Sequence, residues 1–149
     1  MLPNVYTWFQ KKSVRKIGFE DVKYAITHEN QHILINTLPI SDQKCLIKTT
    51  LDWNLEEKLL NEMLNQYAMN SRTFIIYGKN AVDESAEKKY HQMNDLGFTE
   101  VYIYSGGMFE WMLLQDIYGD AEFPTTSREL DVLKFRPIKS FDVPRLGYR

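Results

Sequence analysis

Residues 97–111 read Gly97-Phe98-Thr99-Glu100-Val101-Tyr102-Ile103-Tyr104-Ser105-Gly106-Gly107-Met108-Phe109-Glu110-Trp111. Gly97 follows a helix-like apolar pattern and has the residue type that ends helices, because it accepts a left-handed backbone without a β-carbon clash. Val101 to Tyr104 is a β-branched and aromatic run of strand length that stops at Ser105-Gly106-Gly107. Helical spacing resumes at Met108 and continues to Tyr118, before Gly119. A strand, two glycines and a helix in immediate succession make a tight strand-to-helix turn, the unit from which parallel sheets are assembled.

Upstream the same alternation repeats. Asp83 to Leu96 predicts a helix with Ala86, Tyr90, Met93 and Leu96 inward. Arg72-Thr-Phe-Ile-Ile-Tyr77 predicts a buried strand ending at Gly78. Asn54-Leu55-Glu56-Glu57 reads as a capping box, followed by Leu55, Leu59, Leu60, Met63, Leu64 and Tyr67 on one helical face. His32 to Leu38 predicts a strand closed by Pro39. Gly18 to Asn30 predicts a short helix, with Glu20 and Asp21 in its first turn and Val22, Ala25 and Ile26 inward. Alternation of this kind predicts an α/β fold whose parallel sheet is covered on both faces. Beyond Asp120 the pattern weakens. Thr126 or Ser127 is expected to cap a short helix through Leu133, and Pro137 and Pro144 predict an extended end.

The chain has 149 residues, enough for one ordinary domain with tails. Its net charge of -2 excludes a uniformly basic nucleic-acid binder. That charge is unevenly spread: residues 1–16 carry +4, residues 127–149 carry +3 and residues 17–126 carry -9. One cysteine excludes a disulfide framework and any cysteine-based zinc cluster. Apolar runs are too short for a membrane-spanning helix. The start lacks a secretory leader, so an intracellular protein, cytoplasmic or organellar, is expected.

The segment from Gly97 to Trp111 resembles the rhodanese homology domain, in which a helix ends near Leu-x-x-x-Gly-Phe and a Val-Tyr strand runs into Gly-Gly-(apolar)-x-x-Trp. Met93, Leu96, Gly97, Phe98, Val101, Gly106, Gly107 and Trp111 occupy those places. Gly18-Phe-Glu-Asp-Val-Lys resembles the family's opening helix, His32-Ile-Leu-Ile-Asn-Thr-Leu its Leu-Ile-Asp-x-Arg strand, and Phe74-Ile-Ile-Tyr77 the strand that delivers the catalytic loop. The resemblance implies a rhodanese-like fold over residues 17–118: a mainly parallel five-stranded sheet with helices on both faces. A basic, aromatic extension (1–16) precedes it and a C-terminal extension (119–149) follows. The glycine pair has a steric reason, since the chain must turn sharply from strand into helix beside the active-site loop and side chains there would clash.

The departures from the family are chemical. A catalytic member places a cysteine directly after the delivering strand, in a cradle of backbone N–H groups. Here that position is Gly78, which cannot attack or carry a persulfide. The loop continues Lys79, Asn80, Ala81, Val82, Asp83, Glu84, so the arginine that commonly closes it is replaced by Asp83 or Glu84, depending on loop length. The family's aspartate and arginine on the earlier strand become Asn36 and Leu38, and of the Gly-His-Ile-Pro-Gly-Ala stretch only Ile47 survives within Cys45–Thr50. Cys45, the sole thiol, belongs to that peripheral segment and is expected to be a packed structural residue.

No other catalytic motif stands out. His28, His32 and His91 lack metal-ligand spacing, Ser85 lacks a Gly-x-Ser-x-Gly setting, and Gly106-Gly107 matches no nucleotide fingerprint, so no metal or cofactor is expected. Lys79 is the loop's one cation and could meet a small anion. Partner contacts are expected from Tyr6, Trp8, Phe9, Lys11 and Lys12 at one end and Phe135, Arg136, Phe141 and Arg145 at the other, aromatic and basic types enriched at interfaces. The resulting expectation is a catalytically inactive rhodanese-like module acting by protein binding, as a structural component of a larger assembly. The alternatives are a sulfurtransferase- or phosphatase-related enzyme of altered chemistry, and a nucleic-acid accessory protein working through its basic termini.

Overall fold

The structure is a computed structural model and describes residues 13–141. Tyr6, Trp8, Phe9, Lys11, Lys12, Pro144 and Arg145 lie outside the described residues. In chain order the elements are β1 (Lys16–Ile17), α1 (Phe19–Thr27), β2 (His32–Asn36), α2 (Trp53–Asn65), β3 (Thr73–Tyr77), α3 (Ser85–Asp95), β4 (Val101–Tyr104) and α4 (Gly107–Tyr118). Short 3-10 turns occur at Ile40–Asp42 and Val132–Phe135.

The strands form one sheet in the order β1-β4-β3-β2, every neighbouring pair parallel. Leu34 lies opposite Ile75, and Ile75 opposite Tyr102, so alternate residues line opposite faces in register. One face sends Leu34, Ile75, Tyr77 and Tyr104 against Val22 and Ala25 of α1 and Met108, Trp111 and Met112 of α4. The other sends Ile33, Ile35, Phe74, Ile76, Val101 and Ile103 against Leu60 and Met63 of α2 and Ala86, Tyr90 and Met93 of α3. Burial on both faces is why β2 and β3 read as unbroken apolar runs.

The sheet has four strands rather than the expected five. Outside β2, the chain makes a single parallel bridge, Thr50 to Leu34, and Leu51 N–H donates to the Leu34 carbonyl at 2.8 Å. Thr49, at φ 72, turns the backbone out of the extended region just before this bridge, and Asp52 caps α2 just after it. That leaves no length for a fifth strand.

Helix ends also differ from expectation. The N-cap of α2 is Asp52, whose carboxylate accepts from Asn54 N–H at 2.9 Å, so the helix starts earlier than an Asn54 cap would allow. Glu56 consequently faces inward in place of Leu55, and its carboxylate meets Lys89 Nζ at 3.0 Å. Tyr67 and Leu96, expected inward, are exposed where their helices have already ended. Thr126 and Ser127 cap no helix, and among the described residues the only helical turn after them is the 3-10 turn at Val132–Phe135. Their hydroxyls instead donate to the Lys44 carbonyl.

The stretch after α4 folds back onto the domain. Ile47 forms an antiparallel bridge with Thr125, and Lys48 N–H donates to the Pro124 carbonyl at 3.1 Å. Trp111 Nε1 donates to the same carbonyl, and Gln115 Nε2 to that of Phe123 at 2.7 Å. Phe123 packs edge-on against Trp111 at 5.0 Å, and Phe135 closes the same core. Each such aromatic contributes roughly 1.5–3 kcal/mol of burial.

Candidate functional site

The carboxyl ends of β2 and β3 open onto a cleft of about 410 Å³ lined by Thr37, Lys79, Asn80, Asp83 and Ser85, with Val82 and Ile138 at its edges. In open α/β sheets this end is where ligand-contacting loops gather. The loop from Gly78 to Glu84 descends from β3 into the first turn of α3.

Gly78 is buried directly behind this cleft. A β-carbon placed on it would lie 2.8 Å from Asp83 Oδ2 and 3.1 Å from Thr37 Oγ1. Asp83 is fixed there by its own loop. Its Oδ2 accepts from Lys79 N–H at 3.0 Å and its Oδ1 from Ser85 N–H at 3.0 Å. Burial alone would raise its pKa, but these two N–H groups, the Ser85 side chain and the Lys79 charge outweigh burial and hold it below the ordinary 3.8. The carboxylate therefore remains ionised at neutral pH and takes up two of the loop's backbone donors. Glu84 is exposed and heads α3 without capping it through its side chain.

The remaining loop groups are also engaged. Asn80 Oδ1 accepts from Val82 N–H, and its Nδ2 donates to the Phe135 carbonyl, both at 3.0 Å. The Ser85 and Thr37 hydroxyls share a 2.6 Å hydrogen bond. Lys79 Nζ lies 3.7 Å from Asp42 Oδ2, and Lys134 Nζ lies 3.5 Å from Asp42 Oδ1, so the loop's cation faces a carboxylate. Thr37, Asp42 and Ser85 were not singled out from sequence. The sequence marks Ser85 only as a serine without a nucleophile motif, and nothing in the spacing of the three announces the cleft.

A side chain would clash at both glycines of the pair, at Gly106 with the Glu110 side chain and at Gly107 with the loop backbone. Gly107 has φ +65, and a β-carbon there would meet the Gly78 carbonyl at 2.6 Å and Asn80 N at 3.0 Å. The start of α4 is pinned to the same loop, since Met108 N–H donates to Gly78 O and Phe109 N–H to Lys79 O. On β2, Asn36 and Gln43 exchange two side-chain amide hydrogen bonds of 2.7 and 3.0 Å, and Asn36 Oδ1 also accepts from Leu38 N–H. Asn36 stands where the resemblance placed an acid and buried Leu38 where it placed a base, and the partner of the Asn36 amide is Gln43 instead.

Cys45 lies elsewhere. It is buried, its thiol donates to the Ser127 carbonyl at 3.3 Å, and burial pushes its pKa up. Of the expected contact residues, Phe135 is 1% exposed and its side chain faces its own core, which removes it from any partner surface. Arg136 and Phe141 are exposed. His28 and His32 pack against Tyr24, whereas His91 meets Tyr90 edge-on in another helix. Among the described residues, no group of three His, Cys, Asp or Glu side chains could hold a metal, and no helix is long and apolar enough to cross a membrane.

Solved structures share the architecture. Ygr203w, described as a yeast protein tyrosine phosphatase of the rhodanese family, is 12% identical with a TM-score of 0.56, over 83% of this chain and 99% of its own. The Alr3790 protein from Anabaena is 20% identical with a TM-score of 0.54, covering 73% of this chain and 89% of its own. The single-domain sulfurtransferase RDL2 from Saccharomyces cerevisiae is 16% identical with a TM-score of 0.50, covering 73% and 97%. At these identities the likeness shows the fold alone. No curated protein matches the chain. The family model for the rhodanese-like domain matches residues 19–114, well over half of the sequence and the whole span from α1 into α4. The chain thus belongs to the rhodanese-like domain family.

Proposed function

We propose that this chain is a non-catalytic rhodanese-like module that works by binding another protein, as a fixed component of a larger assembly. The observation that carries the proposal is the Asp83 carboxylate beside Gly78. The nucleophile's position has no side chain, and the space in front of it holds a negative group anchored by two backbone N–H donors. An anionic sulfur or phosphate substrate would meet repulsion and missing donors together. Sulfur transfer and phosphotyrosine hydrolysis, named for the yeast relatives, are not carried over to this loop. Cys45, hydrogen-bonded inside a peripheral segment, gives an enzyme of altered chemistry no accessible thiol to use.

The protein-binding half draws on surface character. Arg136, Ile138 and Phe141 are exposed on the segment that borders the cleft. Two measurements test the proposal. Sulfur transfer from thiosulfate to cyanide and hydrolysis of p-nitrophenyl phosphate by the full chain should both stay at blank. The endogenous protein should elute in a stoichiometric complex well above its own 17.6 kDa. Turnover that disappears on altering the Gly78–Glu84 loop, or elution of the endogenous protein as a free monomer, would overturn it.

A further inference from the structure

Helix α4 departs from the pattern of the other large helices. Beyond a first turn that exposes Trp53 and Leu55, the outward residues of α2 include Asn54, Glu57, Lys58, Asn61 and Glu62, and those of α3 include Glu87, Lys88, Gln92 and Asp95, as expected for surface helices. In α4 the inward side is filled by Met108, Trp111, Met112 and Gln115. Its outward side nevertheless carries Leu113, Ile117 and Tyr118, with Ile117 70% exposed. Leu113 and Ile117 are four residues apart and therefore neighbours on one helical stripe. The Val132–Phe135 turn packs against α4, and the adjoining Leu130, 81% exposed, lines a cleft with Met112 and Asp116. A helix apolar on both sides belongs in an interior, so the outer side of α4 is a face made to be covered.

Charge identifies the cover. From Gly107 through Glu122 there are four acids, Glu110, Asp116, Asp120 and Glu122, and no lysine or arginine. Glu122 is taken by Lys23 at 2.7 Å and half-buried Glu110 is turned toward Gly106 and Tyr104, which leaves exposed Asp116 beside the stripe and Asp120 just beyond the helix end. The nearest basic group of the same cleft is Arg128. We infer that the Leu113–Ile117 face of α4 docks a segment of another protein that interleaves apolar side chains with Lys or Arg, the complement of an acid-edged apolar stripe. This inference rests on the protein-binding role proposed above and names its surface and partner chemistry.

The test uses the full-length, isotope-labelled chain titrated with a synthetic amphipathic peptide of leucine and lysine, and in parallel with its leucine–glutamate counterpart. The expected result is saturable amide shifts confined to α4 and residues 128–133 for the lysine peptide. Affinity should weaken at least tenfold in Leu113→Lys/Ile117→Lys, a double variant of exposed positions whose folding is checked by its unchanged melting temperature. Equal response to the acidic peptide, shifts centred elsewhere, or indifference to the double variant would overturn the inference. So would a dimer of the unliganded chain held through α4, or a face already covered by the chain's own basic end. Sulfur-transfer assays on the same samples report separately on the non-catalytic reading, so loss of one does not count as loss of the other.

Discussion

The Asp83 carboxylate and the α-carbon of Gly78 exclude a side chain between them: Oδ2 sits 2.8 Å from where a β-carbon would be. A single Gly78→Cys replacement should therefore displace Asp83, break its bonds to Lys79 and Ser85 N–H, and destabilise the fold by about 1–3 kcal/mol. Its thiol should show no thiosulfate turnover and alkylate slowly, because a carboxylate beside it raises its pKa. The pair Gly78→Cys/Asp83→Gly should recover stability and alkylate at least tenfold faster at position 78, as read by mass spectrometry. Sulfur transfer by the single variant would contradict this.

Acid sensitivity follows from the same carboxylate. Its pKa is lower in the folded chain than the ordinary 3.8, so its stabilising contribution is complete above that value and disappears as the pH falls through the depressed folded value. Glu56 has the opposite sign: burial, only partly offset by Lys89, raises its pKa, so the folded state favours its protonation from the ordinary 4.5 upward. Urea titrations between pH 2 and 6 should show a shallower acid loss in Asp83→Asn than in the wild type. In Glu56→Gln the gain on acidification just above pH 4.5 should disappear.

Gly107 and Gly18 provide a matched pair. Gly107→Ala places a methyl group in a left-handed backbone against the Gly78 carbonyl, and should cost more than about 2 kcal/mol. Gly18 has φ -100 and open space around it, so Gly18→Ala should stay within about 0.5 kcal/mol of wild type. Thermal unfolding of the two variants checks the contrast.

Tyr77 reaches from the end of β3 to the Leu46–Lys48 strip. Its hydroxyl oxygen accepts from Ile47 N–H at 3.1 Å and bonds Thr50 Oγ1 at 2.7 Å inside the core, where burial drives its pKa far upward. Tyr77→Phe leaves the Ile47 donor buried and unpaired, and should lose about 1–3 kcal/mol. Amide exchange at Ile47 should accelerate more than at β2 residues.

Much of the fold was legible because β2, β3 and β4 are buried on both faces and must be written in Ile, Leu, Phe, Tyr and Val. β1 is only Lys16 and Ile17, and its strand character exists only in pairing with β4. The missing fifth strand turned on Thr49, a residue that gives no sequence warning of a positive φ. At the site, Gly78 at the end of β3 and the carboxylates of Asp83 and Glu84 were visible in the sequence, and so was the need for small residues at Gly106-Gly107 where strand turns into helix. The seating of Asp83 against Gly78 was not, because it depends on the loop folding back to offer Lys79 and Ser85 N–H. The Asn36–Gln43 pair likewise joins residues whose types carry no mutual signal until the chain turns at Ile40–Asp42.

One bond remains to be followed outward: Asn80 Nδ2 to the carbonyl of Phe135. Phe135 lies beyond the stretch shared with the family, which ends at residue 114, yet it anchors the bend of the loop at the heart of that shared stretch. Cutting the gene at the family boundary would thus yield a fragment whose Gly78–Glu84 loop had lost its clasp. The tail beyond the common fold is one of the loop's joints, so the loop's shape is set in part from outside the family's span.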